Sequence, residues 1–278
     1  MVQELYSEAT SRSVIPGQGV YHDPVFINPD GRERISGYVT DIITDKTINF
    51  LSNRNESKPF FVMCHHKAPH RSWEYKHEHR HLYQDDVKIP ETFTDDYKNR
   101  AKAAKAAKMR VAEDMTFFDL GLAQPEGGSE VGEPISSIGL VRKIPYPEDV
   151  TKLVLVDNET GENFRFKTRD ELREFKYQRY IKRYCRCVHS IDENVGRLLD
   201  YINSLGKEVV DNTLIMYTSD QGKLHFSQYK SHIQALTPFR VLPRGPRLVR
   251  QALHVRRIIP DASARKVSTR DPSRYHLQ

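Results

Sequence analysis

The chain has 278 residues, a net charge of +6, 38% hydrophobic and 29% charged residues, and three cysteines. It is long enough for a sizeable core and has no apolar run near the roughly 20 residues that span a bilayer. Cys64, Cys185 and Cys187 are too few and too irregularly spaced for a disulfide framework, and they read as reduced. The charge sits at one end: residues 240–278 carry ten Lys or Arg against two acids, so the first 239 residues are net −2.

The opening 37 residues read as loop, rich in Pro, Gly, Asn and Asp. Their start, "MVQELYSEAT", has no basic stretch followed by an apolar one, so no secretion signal is read there. "PGQG" contains a Gly-x-Gly, but without a preceding strand or a following helix it is no nucleotide fingerprint. "GYVTDIITDKTINFLSN" predicts a helix with Val39, Ile42, Ile43, Phe50 and Leu51 on its apolar face. A polar turn at 53–57 and Pro59 lead into "FFVM" at 60–63, whose lack of alternation predicts a parallel strand buried on both faces. From Trp73 to about Glu174 the text is polar. Within it, "NRAKAAKAAKMRVAEDM" has high helix propensity and reads as a solvated helix rather than a nucleic-acid arm. "QPEGGSEVGEP" reads as a flexible loop.

The strongest periodicity runs over 180–205. There Ile181, Tyr184, Val188, Ile191, Val195, Leu198, Leu199, Ile202 and Leu205 recur at three- and four-residue steps, with Gly206 as the stop. "DNTLIMYTSDQG" then predicts a strand over 213–218 that ends in a polar knot. Helix–strand–loop units with continuously apolar strands predict an α/β fold around a mostly parallel sheet flanked by helices. In such sheets ligands bind beyond the carboxyl ends of the strands. Both "HHKAPH" and "SDQG" occupy that kind of position.

Ser-Asp-x-Gly is good turn chemistry. Asp220 and Gln221 are also hard oxygen donors suited to Ca²⁺, which takes six to eight oxygens, so further ligands must come from elsewhere. Their place after a strand favours the ligand reading. His65, His66, Lys67 and His70 form a cluster of cationic donors fitted to sulfate or phosphate. A plain surface loop is equally compatible with their composition and spacing.

"KPFFVMCHHKAPHRSW" and "DNTLIMYTSDQG" resemble two signature segments of the sulfatase family, within the alkaline-phosphatase-like superfamily. "PGQGVYHDPVFI", "GYVTDIITDKTINFL", "DDVKIPETFTDDYKNR" and "KYQRYIKRYCRCVHSIDENVGRLLDYI" resemble its bacterial mucin-desulfating, N-acetylglucosamine-6-sulfatase-like branch. The resemblance spans most of residues 14–222. It implies Ca²⁺ ligands at Asp220 and Gln221, the latter in place of the commoner Asn. It also implies a sulfate-binding catalytic histidine at His70 and substrate contacts from Lys67 and His66. The implied reaction is hydrolysis of a sulfate ester of an amino sugar, such as 6-sulfated N-acetylglucosamine in mucin or glycosaminoglycan. A formylglycine hydrate attacks sulfur, Ca²⁺ polarises the sulfate oxygens, and the sugar alcohol leaves. The implied partner is a sulfated carbohydrate, with no nucleic acid or membrane. Members of the family are typically secreted or periplasmic.

The sequence also departs from the family pattern. No Cys or Ser stands in the Cys/Ser-x-Pro/Ala-x-Arg context that yields formylglycine, and "RDPSR" at 270–274 has Arg at the nucleophile position. The early Asp-Asp metal pair and a Lys-x-His segment are missing as well. After "SDQG" the text "KLHFSQYKSHIQALTPFRV" lacks the Gly-Glu-His-Gly-like turn. The expectation is therefore the central portion of a sulfatase catalytic domain over 1–222, inactive by itself. An Arg-rich tail over 223–278, out of frame or disordered, completes the chain.

Overall fold

The computed structural model describes residues 11–99, 101–106, 110–123 and 149–219, and the strand at 240–241. Strands β1 (Val25–Asn28) and β2 (Gly31–Arg34) form an antiparallel hairpin with Asn28 opposite Gly31. This corrects the loop reading of the first 37 residues. Pro29-Asp30-Gly31 is turn chemistry in which Pro presets φ and Gly takes a positive value, here 135°. Helix α1 (Val39–Ser52) follows. It buries Val39, Ile42 and Leu51 as predicted, and Thr40, Thr44 and Thr47 besides.

The polar middle contains more structure than its composition suggests. The Ala- and Lys-rich segment forms two short helices, α2 (Lys102–Ala106) and α3 (Val111–Asp114), rather than one continuous helix. Strands β3 (Leu122–Ala123), β4 (Val154–Asp157) and β5 (Asn163–Arg165) make an antiparallel sheet, with Leu155 opposite Phe164. The loop expected at 124–134 lies outside the described residues.

Helix α4 (Arg169–Ser204) is the axis of the molecule and begins eleven residues before the predicted start. Thr168 caps it, its hydroxyl accepting from the Glu171 N–H at 3.1 Å, and the Glu171 carboxylate accepts from the Lys167 N–H at 2.6 Å. The apolar face of α4 packs with α1 and the small sheet around Tyr21, Phe26, Trp73, Leu120, Leu122, Leu155, Leu172, Tyr180 and Ile191, all buried. Among the described residues no helix is long and apolar enough to cross a membrane.

A second stripe of α4 is polar yet buried. Lys176 donates to the Ala112 carbonyl, Arg179 to Leu120 (2.6 Å), Arg183 to Trp73 (2.9 Å) and Arg186 to Leu82 (3.0 Å). Asn194 continues the stripe to the Asp41 carboxylate of α1 at 2.7 Å. Three- and four-residue steps put these donors on one helical face. The four cationic side chains satisfy main-chain carbonyls of short helical turns and irregular chain, as buried backbone requires.

The two predicted strands differ from expectation. Residues 60–63 make no strand pairing among the described residues, and Phe61 and Met63 are exposed instead of buried on both faces. In the second, only β6 (Met216–Tyr217) pairs, antiparallel to β7 (Arg240–Val241), and Leu214, Met216 and Tyr217 are exposed. A helix closes its hydrogen bonds within itself, whereas a strand is defined by a neighbour. The sheets among the described residues are all antiparallel, and no parallel ladder is present there.

Candidate functional site

The predicted anion loop, residues 65–76, is an irregular segment held at many points. The His70 N–H donates to the Lys67 carbonyl at 3.0 Å, closing a turn through Ala68 and Pro69 that brings Lys67 and His70 to one bend. The Tyr21 hydroxyl donates to the His70 carbonyl at 2.5 Å, and the Trp73 indole N–H to the Pro69 carbonyl at 2.8 Å. Tyr38 donates to the Glu74 carbonyl at 3.1 Å, and Lys76 pairs with Asp41 of α1 at 2.9 Å. Arg183 adds its bond to the Trp73 carbonyl and an ion pair to Glu159 at 2.8 Å. These contacts hold the bend from α1, α4 and the hairpin region together.

The predicted binding residues of this loop divide by environment. Lys67 is half-buried, its ammonium 4.3 Å from the centre of the Tyr21 ring, with no carboxylate within 4.0 Å among the described residues. Burial lowers its pKa, partly offset by Glu74. A desolvated cation resting on an aromatic face is satisfied without a counter-ion and keeps its charge available to an incoming anion. His70 is exposed, its Nδ1 2.5 Å from the Arg71 carbonyl. That contact places the Nδ1 proton toward the carbonyl and leaves Nε2 as the ring's outer nitrogen.

His66 is different in kind. Its ring is half-buried, its Nδ1 is sealed from solvent without a hydrogen-bond partner, and its Nε2 lies 3.7 Å from the Cys64 sulfur. Burial pushes its pKa down to about 4, against the pull of Asp41. The residue is neutral at pH 7, so it adds no cationic donor beside Lys67. The Asp41 carboxyl beside it is pushed up by burial, but bonds from Lys76 and Asn194 outweigh this and hold it below the ordinary carboxylate range.

Asp220 and Gln221, the predicted cation ligands, lie outside the described residues. Their oxygen donors are of the kind Ca²⁺ takes, but two ligands are too few. Among the described residues one group could hold a metal ion: His79, His189 and Glu193. Two imidazoles and one carboxylate suit a late first-row ion rather than Ca²⁺, so this group does not complete the calcium site. Sequence reasoning missed it because His79 sits in an apparently solvated stretch, "KHEHRH", and its partners lie more than a hundred residues away on α4.

The cysteines supply no nucleophile. All three are free, and burial raises each thiol, Cys185 to about 11 and Cys187 to about 12. A thiol held that high is not a thiolate at neutral pH.

Comparison with known proteins decides the family. The model of the family described as Sulfatase matches residues 4–245, most of the chain. The chain belongs to the sulfatase family. This sulfatase chain is 37% identical over 221 residues to an N-acetylglucosamine-6-O-sulfatase of Bacteroides thetaiotaomicron, an alignment covering 76% of the chain and 38% of that protein. An uncharacterized sulfatase of Schizosaccharomyces pombe is 28% identical over 207 residues, covering 72% of this chain and 28% of the other. A solved structure of BT4656 in complex with its substrate D-glucosamine-2-N,6-O-disulfate matches with a TM-score of 0.58 and 33% identity, covering 77% of this chain and 44% of that one. The likeness assigns the chain the alkaline-phosphatase-like α/β fold, of which the described residues form an incomplete part. The chain spans about two-fifths of the length of the curated N-acetylglucosamine-6-O-sulfatase it matches.

Proposed function

We propose that this sulfatase chain recognises the sulfate ester of an amino sugar, 6-sulfated N-acetylglucosamine being the favoured substrate class, in the manner of a sulfuric ester hydrolase. The observation that carries the reading is the clamped Lys67–His70 bend. It presents a desolvated ammonium with no carboxylate partner among the described residues, next to an exposed imidazole. A doubly or triply accepting sulfate is the complement of such donors. The N-acetylglucosamine-6-O-sulfatase relative and the D-glucosamine-2-N,6-O-disulfate bound to the similar structure support the sugar.

In this reading Lys67 fixes the sulfate electrostatically, and His70 hydrogen-bonds one of its oxygens or the departing sugar oxygen. His66 holds the loop from inside as a neutral ring and orients the residues on either side of it. Asp220 and Gln221 would contribute oxygens to a Ca²⁺ ion, which when bound neutralises charge on the sulfate oxygens. Turnover also needs a nucleophile, and no Cys or Ser of the 278 residues lies in a formylglycine context. The chain by itself is therefore proposed to bind sulfated sugar without hydrolysing it. The sulfated-carbohydrate partner is proposed from the same loop.

The test is calorimetric titration of the chain with 6-sulfated and unsulfated N-acetylglucosamine, alongside turnover of an aryl sulfate after co-expression with a formylglycine-generating enzyme. Sulfate-dependent binding that is weakened at least tenfold in Lys67→Ala, with no turnover, is expected. Equal affinity for the unsulfated sugar would sink the cradle, and measurable hydrolysis would sink the claim about the nucleophile.

A further inference from the structure

His189 and Glu193 are four residues apart on α4 and so share a face of the helix. The 3-10 turn at His77–His81 lays His79 against that face. His79 Nε2 lies 3.0 Å from one Glu193 oxygen and His189 Nε2 lies 3.5 Å from the other. The three ligand atoms are all within 4.8 Å of one another. Two metal–ligand bonds of about 2.0–2.1 Å at a tetrahedral angle put their donor atoms roughly 3.4 Å apart. The two distances to Glu193, 3.0 and 3.5 Å to its two oxygens, bracket that edge, so small side-chain rotations suffice to bring one oxygen and both imidazoles around an ion.

The other nitrogen of each ring is occupied. His79 Nδ1 lies 3.0 Å from the Ser190 hydroxyl, which is itself 3.3 Å from the Arg186 carbonyl. With Nδ1–H donating to that hydroxyl, Nε2 faces the Glu193 carboxylate, a position that a second proton or a metal cation satisfies. His189 Nδ1 is likewise engaged by the Tyr83 hydroxyl at 3.2 Å. Imidazoles whose Nδ1 atoms are held by oxygens and whose Nε2 atoms converge on one carboxylate have the pattern of metal ligands with their orienting partners.

Charge and access fit as well. Glu193 is 43% exposed and His79 is 6% exposed, so the group opens to solvent on the carboxylate side while its first ligand is anchored inside. Lys76, the neighbouring cation, is paired with Asp41 at 2.9 Å, which leaves Glu193 to the imidazoles. A plain ion pair needs one imidazole; here two face the same carboxylate. We propose that His79, His189 and Glu193 form a binding site for a late first-row divalent cation of the Zn²⁺ class, with water in the fourth position.

The test uses the full chain, stripped with EDTA, and titrates Zn²⁺ against a chromophoric chelator, with Co²⁺ absorption reporting geometry. One equivalent of Zn²⁺ is expected at micromolar concentration or tighter, with an intense tetrahedral Co²⁺ spectrum and no competition from millimolar Ca²⁺. His189→Ala, at a half-buried position, and Glu193→Gln, at an exposed one, should lose that equivalent while keeping wild-type circular dichroism. Tyr83→Phe should weaken binding by about tenfold, the low end for losing an orienting partner. His77→Ala, on the same turn but outside the group, should bind as wild type. Zn²⁺ stoichiometry and affinity unchanged in His189→Ala and Glu193→Gln, or no micromolar Zn²⁺ binding by the wild-type chain, would overturn the site and leave a histidine–glutamate ion pair.

Discussion

Residues 73–87, irregular apart from the 3-10 turn at His77–His81, and residues 60–63 both lack strand pairing, yet their side chains meet opposite surroundings. In the first stretch Trp73, Tyr75 and His79 are buried, and the carbonyls of Trp73 and Leu82 are taken up by arginines of α4. In the second, Phe61 is 78% exposed and no strand ladder forms among the described residues. The segment around β6 resembles the second, with Leu214 at 59% and Met216 at 52% exposed. The polar stretch is the well-packed one and the apolar stretch is the open one. Burial in this molecule follows the supply of hydrogen-bond partners rather than hydropathy alone. A 36-residue helix carries its own backbone bonds and has side chains to spare for a loop, whereas an extended segment depends on neighbours both for its backbone bonds and for cover over its side chains.

The largest effect should come from breaking the clamp. Arg183 is 2% exposed and serves both the Trp73 carbonyl and the Glu159 carboxylate. Arg183→Met keeps most of the volume but strands the Trp73 carbonyl and unpairs the partly exposed Glu159, at a cost of about 3 kcal/mol. Urea unfolding should show it as a lowered midpoint at unchanged slope. A loss below about 1 kcal/mol would mean that the donor stripe does not organise the loop.

A comparable effect belongs to His66, at the junction of the two regions. Its native pKa of about 4 lies below the value near 6.5 for an unfolded histidine. The contribution is whole above pH 6.5. It is lost as pH falls toward 4, because the unfolded chain takes up a proton the native state refuses. The total is on the order of 3 kcal/mol. His66→Phe should flatten the stability profile between pH 6.5 and 4, and a profile parallel to wild type would show that the ring is not sealed.

Gly121 sharpens the comparison from the other side of the clamp. Its φ is +64°, and a Cβ there would come within 2.8–3.0 Å of the Arg183 guanidinium. Gly121→Ala should cost about 1–3 kcal/mol through backbone strain and displacement of a pinned arginine. In an Arg183→Met background part of that cost should vanish, and additive losses would argue against contact between the two.

The smallest effect on stability is expected in the open segments. Phe61→Ser and Met63→Ser should leave the unfolding midpoint within about 0.5 kcal/mol of wild type. Sedimentation velocity should nonetheless detect less self-association, since exposed apolar extended chain is an adhesive surface. A large loss of stability would place these side chains in the core.

The sequence alone determined the features whose physics is local. The apolar faces of α1 and of the second half of α4 were legible from period 3.6, and the family was legible from the collinear segments around "HHKAPH" and "SDQG". Two further features carry local signals of their own. Pro29-Asp30-Gly31 marks the hairpin, and Thr168 with Glu171 marks the true start of α4 behind a run too charged for hydropathy to flag. Tertiary structure decided what depends on partners far along the chain. It sealed His66 and left it neutral while Lys67 beside it rested on Tyr21, converted half the face of α4 into donors for distant carbonyls, and joined His79 to His189 and Glu193. It also left residues 60–63 without a ladder among the described residues. A strand, a pKa and a metal site each belong to a pair or a group of residues, and the identities of those partners are set by packing rather than by neighbours in the chain.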